Sequence, residues 1–512
     1  MLRLTLSLAF FLGAAVPAAA LEVREGDVVI RTDRLIDGTG APGRAAMVVV
    51  RGDRIVAVEP GDENVPSTAT VIDAWGRVVA PGFIDTHAHG DPVETPEMEN
   101  FLAMGVTTIC LGQDGGSVRV AEMADWFDAV AAAGPGPNVA TYVGHGTVRE
   151  EAGVGLSTTP TAGDIARMVG LVERALDAGA WGLTTGLEYQ PGTFAAEDEL
   201  AAVARPVGER GLVVMSHLRT EDDDQLAGAI RELIAQCRAA GARAHVSHIK
   251  SVYGKGAERA EEILAVIEEG RASGVPVTAD IYPYTASYTG LGILFPDFAL
   301  PPNDYRRVME EQRAELLDYL DRRIRKRNGP EATLFATGPD AGKTLAQVAE
   351  EQGLSPAEVL MKKSPGGGSA AYFIMDEALQ ERLLVAEGVN VCSDGSPSMR
   401  HPRGHGTFAR VIRHFVREQG ALTLEEAIHK MSGLAAETTG LAGAGRGTLA
   451  AGNFADILIF DPEAVNDPAN FSDPYQLAEG FDWIMVNGQV VREGAKFSGE
   501  RAGRVLRRGK NF

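Results

Sequence analysis

The chain has 512 residues, enough for two or three domains or for one barrel with an appendage. Hydrophobic residues make up 45% and charged residues 23%, which supports a large core and excludes wholesale disorder. Lys and Arg total 48 against 70 Asp and Glu; the net charge of −22 argues against nucleic acid or an anionic membrane as partner, and three cysteines exclude a disulfide scaffold or a Cys-rich zinc module.

Residues 1–20 form a first segment. Arg3 precedes an apolar run from Leu4 to Val16, and Ala18-Ala19-Ala20 ends it. This predicts a signal peptide cut after Ala20 and an exported protein, periplasmic or secreted. No later stretch is long and apolar enough to cross a bilayer. Residues 21–80 carry short β-branched runs at Val28-Val29-Ile30, Ala46–Val50, Arg54–Val58 and Thr70-Val71-Ile72, separated by Gly and Asp turns. Residues 441–512 answer with Asp456–Phe460 and Trp483–Val486, then an Asn487-Gly488 turn into Gln489-Val490-Val491. The two ends therefore predict one small β-sandwich.

Between them, residues 81–440 alternate strands and helices in the manner of a parallel sheet. Eight candidate strands end in Thr86–His89, Ile109–Gly112, Tyr142–His145, Leu183–Glu188, Val214–His217, Val246–His248, Ala279–Tyr282 and Val391–Asp394. Ile165, Met168, Val169, Val172 and Leu176 share one face of an intervening helix. The fold class is α/β, a TIM-like (β/α)8 barrel. An insertion is expected around 285–388, with a charged helix near Tyr305–Arg327.

Polar residues at the C-terminal ends of barrel strands converge on one mouth. Here they are His87, His89, Asp114, His145, Glu188, His217, His248 and Asp394. His87 and His89 alternate with period two and so face the same way, and paired neutral imidazoles suit a divalent ion such as zinc. Buried polar groups in such number are costly unless paired or metal-bound. His245 is expected on the opposite face from His248, away from the mouth. Cys110 and Cys392 read as small buried hydrophobes.

Pro81-Gly82-Phe83-Ile84-Asp85-Thr86-His87-Ala88-His89 resembles the opening metal motif of the amidohydrolase superfamily. Tyr142–Arg149, Ser216–Arg219, Val246–Lys250, Asp280–Tyr284, Ser393-Asp394-Gly395, His401-Pro402-Arg403 and Ala451–Asp456 resemble the N-acyl-D-amino-acid deacylases. The resemblance spans about residues 27–500. It implies that His87, His89 and Asp394 hold one metal, that His217 and His248 hold another, and that Asp394 is general base and acid. D-aminoacylases commonly carry Gly-Asn-Cys-Gly after the second strand, with the Cys on the metal; here the stretch is Gly112-Gln113-Asp114-Gly115. Glu188 is therefore proposed to bridge or bind the metals, with Asp114 competing for that place. The expected cofactor is one or two divalent ions, zinc first. The expected reaction is hydrolysis of small-molecule N-acyl-D-amino acids, with metal-activated water attacking the amide and Asp394 handing the proton to the leaving amine. A related hydrolysis of cyclic amides, dipeptides or lactones is the alternative. The substrate carboxylate needs a cation in this acidic protein, and Lys250, Arg219 and Arg403 are candidates. Tyr189 and Tyr282 are candidates to orient substrate, and His145 to polarise it.

Overall fold

The computed structural model describes residues 23–60 and 68–510. The expected signal peptide, 1–20, lies outside the described residues. No described helix is long and apolar enough to cross a membrane.

Eight parallel strand positions form the barrel: Phe83–Asp85, Val106–Leu111, Asn138–Thr141 continued as Val143–Gly144, Gly182–Gly186, Val213–His217, Arg243–Val246, Val277–Ile281 and Val389–Val391. They pair as two arcs that meet at the third strand, which breaks at Tyr142. The Tyr142 amide still donates to the Leu111 carbonyl at 2.9 Å, so the chain bridges the arcs. At the other seam Ala88 pairs in parallel with Gly395, and the Asp394 amide donates to the His87 carbonyl at 2.8 Å. The first and last strands are thus tied together just where both deliver site residues. The strands are covered on both faces, which is why they read as near-continuous apolar runs and not as alternation.

The helix predicted around residue 165 runs Ala162–Ala178 and starts in a Thr161–Asp164 capping box. It buries Met168, Leu171, Val172, Ala175 and Leu176, so its inner face is rotated from the predicted one and Val169 sits half-buried at its edge.

Both chain ends build one nine-stranded sheet. Its order runs Lys496–Phe497, Gln489–Glu493, Phe481–Val486, Ile457–Phe460, Val78–Pro81, Val28–Leu35, Arg44–Arg51 and Arg54–Glu59, with Thr70–Asp73 beside Val28–Leu35. Ile30, Val48 and Ile55 from one end pack with Ile457, Ile459 and Met485 from the other in a single apolar layer. Asn487 and Gly488 have φ of 48° and 80°, the signature of the predicted hairpin turn. The tail departs from the expected sandwich. The third barrel strand meets the fourth only from Val143, leaving the edge at Val139 open, and the tail fills it. Val139 donates to Arg504 O at 2.8 Å and accepts from Leu506 N at 2.8 Å.

Between the seventh and eighth strands the chain makes a separate antiparallel sheet of Ala286–Gly290, Ser369–Phe373 and Thr333–Phe335. Leu316, Leu320, Ile324, Phe335, Leu360 and Tyr372 belong to a core of its own. The charged helix expected there is two, Tyr305–Glu311 and Arg313–Lys326, divided at Gln312.

Candidate metal centre

The strand ends bring four imidazoles and two carboxylates together. Asp114 Oδ1 lies 3.3 Å from His87 Nε2, 3.2 Å from His248 Nε2 and 3.7 Å from His217 Nδ1, while its Oδ2 lies 3.4 Å from His89 Nε2. Asp394 Oδ1 is 3.1 Å from His89 Nε2 and 3.8 Å from His87 Nε2. His217 Nδ1 and His248 Nε2 are 3.0 Å apart. Three donor groups meet here, each within 4.8 Å: His87, His89, Asp114 and Asp394; Asp114, His217 and His248; and Glu188, His217 and Glu221. Asp114 is common to the first two, which hold all four histidines. Of the two carboxylates considered for the bridging place, Asp114 reaches all four histidines. Glu188 touches His217 alone among them, at 3.0 Å, and faces Glu221 on the far side.

The backbone is strained where these ligands sit. Asp114, His248 and Asp394 have φ of 54°, 36° and 49°, the left-handed region that non-glycine residues rarely enter. Neighbouring groups hold them there. The His248 amide donates to Asp280 Oδ1, and the Asp114 loop rests on the fourth strand at Gly186, where a Cβ would lie 2.0 Å from the Asp114 carbonyl. Beneath the ligands, Asp280 Oδ2 accepts from Thr86 Oγ1 at 2.6 Å and lies 3.0 Å from His245 Nε2. His245 is therefore not turned away: it sits fully buried under the centre. The alternation that excluded it fails because the sixth strand ends at Val246 and His248 lies beyond in a turned backbone. Asp85 accepts from the amides of Ser393 and His87, and its burial raises the carboxyl to about 7.

The electrostatics suit cation binding. Burial holds the His87 imidazole below its ordinary pKa and therefore neutral. Neither ring nitrogen makes a well-directed hydrogen bond, although both are fully buried and Nε2 lies close to Asp114. A buried, neutral, unpartnered imidazole beside two carboxylates fits a divalent ion. Burial would raise the Asp394 carboxyl, but Arg403, His248 and His89 more than offset it and hold it below the usual carboxylate range. Burial opposes ionisation of Asp114 too, and the histidines again win.

A narrow cleft opens from this centre toward the insertion, lined by Tyr189, Lys250, Tyr282 and Arg403 among others. Lys250 Nζ is 2.5 Å from Glu221 Oε1 and 2.8 Å from His248 Nδ1. Arg403 Nη1 is 2.9 Å from Asp394 Oδ2. The Tyr282 hydroxyl is buried without a hydrogen bond, and burial pushes the phenol up to about 12, so it stays a neutral donor. The Tyr189 ring lies 4.4 Å from that of His217.

Two predicted residues are elsewhere. Arg219 does not line the cleft: both Nε and Nη2 bind Glu232, and its Nη atoms bind the Thr193 and Ala195 carbonyls. The fifth strand ends at His217, so the two-residue offset no longer fixes a face. His145 is not a substrate ligand either. It begins a helix, His145–Glu151, and its buried Nε2 lies 2.8 Å from Glu199 Oε1, which also binds Arg149. Breaking a buried pair leaves a charge uncompensated and costs about 3–5 kcal/mol. Glu199→Ala should therefore lower stability by that amount in denaturant or thermal unfolding, with turnover per folded molecule within about two-fold of wild type, because no atom of the triad enters the cleft.

Glu221 was not anticipated. It lies in the loop after the fifth strand, and only tertiary packing brings it to Lys250 and His248; the acidic run Glu221-Asp222-Asp223-Asp224 was its one local signal.

Histidines and carboxylates gathered at the C-terminal mouth of a parallel barrel are the architecture of metal-dependent hydrolases. The chain belongs to the amidohydrolase family, and relatives matched over nearly their full length include N-acyl-D-amino-acid deacylases. The family profile matches residues 306–492. N-acyl-D-glutamate deacylase from Alcaligenes xylosoxydans xylosoxydans is 37% identical over 506 residues, covering 94% of this chain and 96% of that protein. A solved D-aminoacylase, studied for its binuclear metal centre, is 35% identical with a TM-score of 0.80, over 94% of this chain and 99% of that one. An N-acyl-D-glutamate deacylase from Bordetella bronchiseptica, solved with zinc and a phosphonate mimic of the tetrahedral intermediate, is 33% identical with a TM-score of 0.80, over 94% and 100%.

Proposed function

We propose that the protein is a metal-dependent hydrolase that cleaves N-acyl-D-amino acids to a carboxylate and a free D-amino acid. The observation that carries this is the shared Asp114 between two histidine pairs, opening on a cleft with Lys250, Tyr282 and Arg403 at its inner end. The fit with the deacylase relatives supports it.

His87, His89, Asp114 and Asp394 would hold one divalent ion, and Asp114, His217 and His248 a second. A divalent ion bound there lowers the pKa of its water to about 7 and polarises a carbonyl. Asp394 presents Oδ1 to the histidine side and keeps Oδ2 on Arg403. That fixes its orientation, so Oδ1 can take the proton of the attacking water and return it to the leaving nitrogen. The α-carbon carries both the scissile nitrogen and the α-carboxylate, so this carboxylate must sit beside the centre. Lys250, Tyr282 and Arg403 are the donors there. Glu221 keeps Lys250 charged: burial would lower its pKa, and the carboxylate at 2.5 Å raises it instead. Tyr189, its ring tilted against that of His217, lines the same cleft and is left to contact the rest of the substrate.

The test is amine release from paired N-acyl-D- and N-acyl-L-amino acids by protein loaded with zinc. Turnover confined to the D series, abolished by chelation and restored by zinc, is the expected result. Metal-bound protein inert on both series but active on cyclic amides, dipeptides or lactones would replace this reading.

A further inference from the structure

Five arginines are buried among the described residues: Arg149, Arg327, Arg403, Arg446 and Arg492. Four have their charge or donors answered. Arg149 pairs with Glu199, Arg403 with Asp394 and Arg446 with Asp456, and Arg492 donates to the carbonyls of Ala103, Ala478 and Gly494. Arg327 is the exception. It is 4% exposed, yet its guanidinium makes no side-chain hydrogen bond and no ion pair among the described residues; its buried Nε lacks a partner, as do those of Arg403 and Arg446, but those two have a carboxylate on another nitrogen. Its one contact of note is the Tyr372 ring, 4.9 Å away. Its cationic neighbours are already committed: Lys326 and Arg323 lie 3.1 Å and 3.6 Å from Asp222. An unanswered buried guanidinium is expensive, and a fold keeps one where an anion arrives from outside.

Arg327 lines the cleft that opens from the metal centre. It comes from the insertion, at the end of the helix Arg313–Lys326, on the wall facing the barrel mouth. The other cations of that cleft touch the centre itself, Arg403 through Asp394 and Lys250 through His248. They are placed for the α-carboxylate, which is bound to the same carbon as the scissile nitrogen. Arg327 is left for a group further along the substrate.

Resting on the deacylase reading above, we propose that Arg327 receives a side-chain carboxylate, so that the preferred substrates are N-acyl derivatives of acidic D-amino acids, glutamate or aspartate. A guanidinium presents a fork that matches a carboxylate with two parallel hydrogen bonds. A neutral amide of the same shape leaves the guanidinium charge unanswered, and a buried polar site rejects such an analogue strongly.

The experiment compares kcat/KM for N-acetyl-D-glutamate and N-acetyl-D-glutamine, and for the aspartate and asparagine pair, with zinc-loaded wild type, Arg327→Met and Arg327→Lys. Wild type should favour the acid by about 100-fold or more. Arg327→Met should erase that preference by raising KM for the acids, and Arg327→Lys should restore part of it as a point charge without the fork. The proposal is overturned if wild type treats acid and amide alike or prefers the amide; this comparison stands even where a variant does not fold. It is also overturned if Arg327→Met lowers acid and amide equally, which would put Arg327 on the α-carboxylate or in the scaffold. In both cases D-specific turnover leaves the deacylase reading intact. No turnover of any N-acyl-D-amino acid would remove that reading and this inference together.

Discussion

Asp394→Asn should reduce kcat by about 10²–10⁴ while the protein keeps bound metal, because proton transfer by a positioned carboxylate is worth that range. The substitution retains shape and one oxygen acceptor. It removes the charge that takes the proton. Metal should persist, since His87, His89 and Asp114 remain on one side and Asp114, His217 and His248 on the other. The backbone should also persist, because asparagine tolerates the left-handed conformation that residue 394 adopts at φ 49°. Asp394 is also the ion-pair partner of Arg403, so folding needs its own readout. Metal content and the unfolding midpoint, measured on the same sample, separate lost chemistry from lost structure. The loss should fall on kcat more than on KM, because Oδ1 faces the ligands and not the cations proposed to hold substrate. Near-normal turnover with metal in place would take proton transfer away from Asp394.

The parts of the fold and centre that could be read from the chain are those governed by short-range periodicity. His87-Ala88-His89 gave a shared face through the alternation within a strand, and the eight short apolar runs gave the strand ends because both faces of such strands are covered. The alternation rule failed wherever a strand had already ended. Arg219 lies two residues past His217, and His248 two past Val246, so Arg219 was carried onto the wrong face and His245 wrongly excluded from the region under the centre. His145 looked like a strand-end ligand but opens a helix, and its partner Glu199 is 54 residues away. The ranking of Glu188 over Asp114 followed the resemblance, since the wider superfamily often carries its bridging ligand on the fourth strand. The positive φ of Asp114, which swings its carboxylate among four histidines, has no signature in composition or spacing. Glu221 and Arg327 arrive through loop and insertion packing, and residues of that kind become visible only when partners are counted in three dimensions.

Asp114→Asn is expected to have the second large effect, on metal content before chemistry. Asparagine is the informative replacement: alanine would add backbone strain at φ 54°, whereas asparagine accepts that conformation and keeps the shape. What is lost is one negative charge facing four imidazoles at 3.2–3.7 Å. A hard carboxylate shared by two ions is replaced by a weak neutral oxygen. The expected outcome is loss of at least one equivalent of zinc and a fall in kcat/KM of more than about 100-fold, since a ligand should weigh more than the 10–100-fold typical of outer-shell partners. Thermal stability should fall with the zinc, because a ligand present at about 100 times its Kd adds about 2.7 kcal/mol to the folded state. Asp114→Cys should keep an ion on His217 and His248, since a thiolate suits zinc with imidazole ligands. Glu188→Gln should keep full metal content, because Glu188 reaches His217 from the far side and no other histidine of the centre. The opposite pair of results, zinc retained in Asp114→Asn and lost in Glu188→Gln, would move the bridging carboxylate to the fourth strand and make the present position of Asp114 a consequence of the surrounding histidines alone.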